Sequence, residues 1–185
     1  MNSWHLFDSS RIVTEAESID DAGAGLRAAL AIGPKVRTIC LLFDPTSHDV
    51  APWLETVKAT GPETRGLMVQ SFFARVLSKA GYDIVVGREL DIFARGRFRS
   101  LFIEVKSSLA GGKFGSQADL GQLDGYLIAC QRKRAERWLG TMGIIRPLNL
   151  RDTFRAALRR RNIGLIDIRW VTAKETLLPH LPSVP

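Results

Sequence analysis

Between Glu63 and Ala80 the apolar residues Leu67, Val69, Phe72, Phe73, Val76, Leu77 and Ala80 recur three and four apart. That is the spacing of an amphipathic helix, and Gly81 supplies its C-terminal stop. The period then changes to two. Residues 82–87 (YDIVVG), 89–94 (ELDIFA) and 100–107 (SLFIEVKS) read as strands, the last two joined by RGRFR, a turn of hairpin length. After the Gly-rich stretch LAGGKFGS the pattern predicts a helix over 118–131, a strand over 139–145, a helix over 150–161 and a closing strand over 164–171. The order α-β-β-β-α-β-α-β predicts an α/β fold with a mixed central sheet flanked by helices. Upstream, a helix is expected over 20–32, a strand over 37–43 and a helix over 47–59, with Gly61-Pro62 as punctuation. The chain thus divides into a small N-terminal α/β extension at 1–60, a main domain at 61–175 and a tail at 176–185. The extension holds no catalytic pattern and is a candidate partner or dimer surface.

The alternation in residues 100–107 sets Leu101, Ile103 and Val105 on one face and Phe102, Glu104 and Lys106 on the other. Two opposite charges therefore share one face of a strand that is otherwise core-like, a costly arrangement unless they bind something. If the hairpin turns symmetrically about residues 97 and 98, Asp91 lies across from Glu104 and Phe93 across from Phe102. Cross-strand neighbours stand about 4.5–5.5 Å apart at Cβ. Two carboxylates this close repel unless a cation lies between them, and oxygen donors suit Mg2+ or Mn2+. A lysine one step along can orient a water or offset charge on a phosphorane-like transition state. An Asp followed by Glu-x-Lys is the set that metal-dependent phosphodiester hydrolysis requires. An Asp–Lys ion pair on a surface hairpin would produce the same letters.

Composition narrows the field. The chain has 185 residues, 45% of them hydrophobic and 24% charged, and a mean hydropathy of +0.01. These values exclude a disordered or collagen-like chain. No apolar run approaches the roughly 20 residues that span a bilayer, so no membrane partner is expected. The N-terminus has no secretory pattern, and Cys40 and Cys130 stand far apart with no metal-binding spacing, which points to the cytoplasm. Net charge is +7, unevenly placed: residues 1–60 carry −3 and residues 61–185 carry +10. The densest basic stretches, QRKRAER and RAALRRR, include Arg132, Lys133, Arg134, Arg159, Arg160 and Arg161. They are candidate phosphate contacts, or else solvated helix faces. Trp53, Trp138 and Trp170 read as core residues.

On these residues the chain resembles the PD-(D/E)xK nuclease superfamily, whose fold is the restriction-endonuclease-like αβββαβ core. The likeness rests on the helix at 63–80 and on GRELDIFARGRFRSLFIEVKSS, with Asp91, Glu104 and Lys106 on the signature positions. Residues 151–170 (RDTFRAALRRRNIGLIDIRW) resemble the closing helix and "LID" strand of the Mrr-like restriction endonucleases, and the core also resembles small Holliday-junction-resolvase-like nucleases. The likeness spans roughly residues 63–171. Leu90 stands where relatives often have proline. The resemblance implies a metal-dependent DNA endonuclease using Mg2+, with Mn2+ as a substitute. Asp91, Glu104 and the Val105 carbonyl would hold the ion, and Lys106 would position the attacking water. Relatives often carry a Glu on the first helix, a place that Glu63 or Gln70 can occupy here. They also carry a Gln on the helix after the Lys strand, which Gln122 matches. DNA before RNA is the expected partner, and a homodimer is expected because duplex cleavage by this fold usually takes two sites. A nucleic-acid-binding or nuclease-partner module that keeps the fold without cutting is the alternative.

Overall fold

A computed structural model describes residues 4–8, 11–85, 91–125 and 134–171. Its main feature is an eight-stranded sheet in the order β1-β2-β3-β10-β8-β6-β5-β4. The strands are β1 (Trp4–Asp8), β2 (Arg11–Ala16), β3 (Thr38–Phe43), β4 (Asp83–Val85), β5 (Ile92–Arg95), β6 (Ser100–Ser108), β8 (Ala135–Gly143) and β10 (Gly164–Trp170). The five central strands β2, β3, β10, β8 and β6 run parallel, and an antiparallel partner closes each edge. The mixed α/β sheet expected from the sequence is therefore present. Helix α3 (Pro62–Lys79), strands β4, β5 and β6, helix α4 (Gln117–Gly125) and strand β8 follow one another along the chain in the αβββαβ order, with one short strand inserted before α4.

Helix α3 packs on one face of the sheet with α1 (Ile19–Ala31) and α2 (Ala51–Ala59). Phe72, Phe73, Val76 and Leu77 of α3 meet Leu101, Ile103, Trp138 and Met142 in one continuous core. Each such side chain contributes about 1.5–3 kcal/mol on burial. Gly140 in β8 lets α3 sit close, because a Cβ there would stand 2.9 Å from the Phe73 ring. The opposite face is covered by α4 and α5 (Asp152–Arg160), whose Leu120, Leu123, Phe154 and Leu158 pack on Leu139 and Leu165. Trp138 is fully buried, and the half-buried Trp53 and Trp170 pack against the core through tilted and edge-on contacts with Phe43 and Phe72.

Several expectations are revised. The N-terminal residues add strands to the main sheet: β3 pairs in parallel with β10, and β2 with β3. The sequence reading did not find β1 or β2. The Gly-rich stretch contains β7 (Gly112–Phe114), paired with β9 (Leu148–Leu150) in a separate two-stranded sheet. Strand β8 begins at Ala135, four residues before its expected start. Residues 135–137 look like part of a basic helix in isolation, but Glu136 turns inward to meet Arg99 and Arg37. That buried demand for a carboxylate overrides local propensity. The expected tail at 176–185 lies outside the described residues.

Candidate active site

The hairpin register is the one the turn geometry predicts. Ile92 pairs with Ile103 and Phe93 with Phe102, and the two phenyl rings stack 4.8 Å apart. The β5–β6 ladder ends at Ile92, one residue after Asp91. Asp91 then uses its side chain where the ladder stops, and its Oδ2 accepts a hydrogen bond from the Val105 N–H at 2.8 Å. A buried strand donor is satisfied in this way, and the carboxylate is held against β6.

Glu104 is the next group inward. It is 3% exposed, and its Oε1 lies 2.7 Å from Lys106 Nζ, two residues along the same face. Lys106 Nζ also donates to Gln122 Oε1 at 2.8 Å, from β6 to α4. From the other side of the sheet, Gln70 of α3 donates its amide Nε2 to the Asp91 carbonyl at 2.6 Å. Asp91, Glu104, Lys106 and Gln122 are thus brought together, with Gln70 bracing the backbone beneath Asp91. Glu63 is not part of this group. It is exposed in the first turn of α3, seven residues or about 10 Å along the helix axis from Gln70.

The electrostatics follow from burial. The Asp91 carboxyl is pushed above its ordinary value by desolvation first; the Val105 hydrogen bond opposes this, Glu104 adds to it, and Lys106 opposes it again. A carboxyl whose charge is disfavoured by burial and by a second buried carboxylate suits a hard cation, whose charge would oppose that shift. The site's protein carboxylates are Asp91 and Glu104; among the described residues no group of three or more His, Cys, Asp or Glu gathers for a metal. Mg2+ commonly binds through one or two carboxylates and keeps several waters, so the donor set fits it.

The basic residues divide. Arg159 and Arg160 project from the last turn of α5, exposed, as does Arg134 just before β8. Arg161 instead bonds Asp124 of α4 at 3.0 Å, and Arg137 reaches the same carboxylate. Arg132 and Lys133 lie outside the described residues.

The sequence reading missed two charged groups. One is a latch at the opposite end of β6. Arg99 grips Glu136 with Nε and Nη2 at 2.7 and 2.8 Å, and Arg37 donates to it at 2.7 Å. No spacing signals a contact among residues 37, 99 and 136. The other group is Asp167 and Arg169 on β10, bonded at 2.7 Å, with Thr141 donating to Asp167 at 2.7 Å. Their i, i+2 alternation in GLIDIRW repeats that of Glu104 and Lys106 and was the available signal. Lys106, Thr141 and Asp167 occupy one cross-strand row of the sheet.

No family model, curated protein or solved structure matches the chain. Among the described residues no helix is long and apolar enough to cross a membrane.

Proposed function

We propose that this protein is a metal-dependent endonuclease that hydrolyses DNA phosphodiester bonds, of the PD-(D/E)xK type. The observation that carries the reading is the convergence of Asp91, Glu104, Lys106 and Gln122 at the end of the β5–β6 ladder: Asp91 accepts from the Val105 N–H, between Glu104 and Lys106, and Lys106 touches both Glu104 and Gln122. In this reading Asp91 and Glu104, with the Val105 carbonyl, hold Mg2+ or Mn2+. Such an ion supplies Lewis-acid stabilisation of the phosphate and a more acidic bound water. Lys106 gives up its contact with Glu104 to hold the attacking water, and Gln122 keeps the ammonium aimed at it. The attacking water releases a proton to solvent as its oxygen forms the new P–O bond and the bond to the leaving sugar oxygen breaks, and the leaving oxygen takes a proton from solvent. Arg134, Arg159 and Arg160 contribute phosphate contacts that weaken with salt. Two copies acting together would cut both strands, and the cytoplasm is the proposed compartment.

The non-cleaving module is favoured by one observation: an amide, Gln70, stands on α3 against Asp91 where a third acid would strengthen metal binding. One experiment separates the readings. The purified full chain is incubated with plasmid, linear, branched and single-stranded DNA and with RNA, in Mg2+, Mn2+ or EDTA. Metal-dependent cleavage of DNA, abolished by Lys106→Ala with melting unchanged, supports the enzyme. Binding without cleavage in either metal supports the module.

A further inference from the structure

The far end of the same hairpin carries a feature that the proposed chemistry leaves unused. Its turn, RGRFR, presents Phe98 at 88% exposure, with the Arg97 guanidinium 5.1 Å from the ring centroid. Arg95 is also exposed. A lone exposed apolar residue is ordinary on a protein surface, but this one sits on a braced platform. The Gly96 N–H donates to the Arg99 carbonyl at 3.1 Å and closes the turn. A side chain at Gly96 would run into that carbonyl and into the Tyr82 ring. Arg99 is fixed by Glu136 and donates to the Leu30 carbonyl at 2.7 Å. The turn is therefore tied to α1 and β8, and the ring and two cations outside it are presented on a preorganised base.

We propose that this turn contacts unpaired DNA: Phe98 stacks on an exposed base while Arg95 and Arg97 hold the flanking phosphates. This rests on the nuclease reading for its partner. The chemistry is that of single-strand binding, where aromatic faces accept any base and neighbouring cations track the backbone. The Phe98 ring stays exposed with Arg97 beside it. The positive charge of residues 61–185 supplies the long-range attraction. Phe98 stands in the turn two residues before β6, and Ser100 to Glu104 adds four residue steps of strand, roughly 13 Å. Unpaired substrate lying along the hairpin would touch both ends of it.

The test measures affinity separately from cleavage. Full-length Lys106→Ala protein in EDTA is titrated onto three fluorescein-labelled probes: a 20-nucleotide single strand, its full duplex, and a duplex with a central unpaired bubble. Phe98→Ala is expected to weaken binding to the single strand and the bubble about tenfold and to leave the duplex within twofold, with Phe98→Trp restoring affinity. Because the ring is exposed, melting should not move. Equal affinity of the alanine variant for the unpaired probes overturns the proposal, and so does an equal loss on all three. Cleavage by the otherwise native protein with no Phe98 effect on binding defeats this inference and leaves the nuclease reading intact. Phe98-dependent binding with no cleavage does the reverse.

Discussion

Replacing Asp91 by asparagine should make the protein more stable and inactive at once. Asparagine keeps an oxygen to accept the Val105 N–H and offers an amide N–H to the neighbouring Glu104, so the hydrogen-bonding pattern survives while one charge disappears. Glu104 stands close enough to raise the Asp91 carboxyl both by its charge and by a side-chain hydrogen bond, and two unit charges about 4 Å apart repel by about 4 kcal/mol at an effective dielectric of about 20. Lys106, 2.7 Å from Glu104, returns part of that attraction to Asp91, and partial exposure screens what is left. A gain of about 1 kcal/mol remains, or about 2–4 °C in melting temperature for a chain of this size. The pH dependence is diagnostic. Asp91 has a raised carboxyl pKa in the folded state. Its stabilising contribution is therefore complete below the ordinary aspartate range and is lost as pH rises through the folded value. The variant should match the native chain near pH 3 and exceed it at pH 7. Urea unfolding in EDTA across that range measures the difference, and a plasmid assay in Mg2+ reports the lost cleavage. A variant less stable at pH 7, or one whose advantage persists undiminished at pH 3, would refute the reasoning.

Glu136→Gln removes the charge that Arg99 and Arg37 share, whose side chains are only 15% and 20% exposed. Between the cost of breaking a buried pair and that of a surface pair, a loss of about 2 kcal/mol is expected at pH 7, read as a lower urea midpoint. Burial raises the Glu136 carboxyl, but the Arg99 hydrogen bonds and the charges of Arg99 and Arg37 outweigh it and hold it below the ordinary value. Its stabilisation is thus present above the ordinary glutamate range and lost as pH falls through the folded value, so native and variant chains should converge in acid. Asp167→Ala strands Arg169, with a side chain 9% exposed, and should cost about 3–5 kcal/mol in the same assay. The Cys40 thiol is pushed up to about 12 by burial first and by Asp167 second. In a Cys130→Ser chain it should resist iodoacetamide at pH 8 until denaturant is added, and rapid labelling of the folded protein would contradict its burial.

How much of this was legible in the sequence depends on how far apart the partners lie along the chain. Helix α3 and the β5–β6 hairpin could be read because their patterns are local. Seven apolar positions at helical spacing mark one, and a short turn with a period of two fixes the register of the other. Extending that register by one pair predicts Asp91 beside Glu104; the ladder itself ends at Ile92, and Asp91 reaches β6 through its side-chain bond to the Val105 N–H. Gln122 was visible only as a residue type on a following helix; its bond to Lys106 depends on how α4 lies across the sheet. The start of β8 was misplaced because Glu136 answers to Arg99 and Arg37 rather than to its sequence neighbours. Strand β2 escaped notice because it is recruited by β3.

The sequence by itself determined the register of the β5–β6 hairpin, since a tight turn and the pleat fix which residues face each other. Tertiary structure alone decided that Gln70 rather than Glu63 braces Asp91, that β3 and β2 extend the sheet, and that Arg99 fastens the turn beneath Phe98. Those contacts join groups from 21 residues apart, Gln70 with Asp91, to 127 apart, Thr38 with Leu165. They form only when the whole sheet has assembled and the cost of burying each charge has been met by a partner the local sequence does not contain.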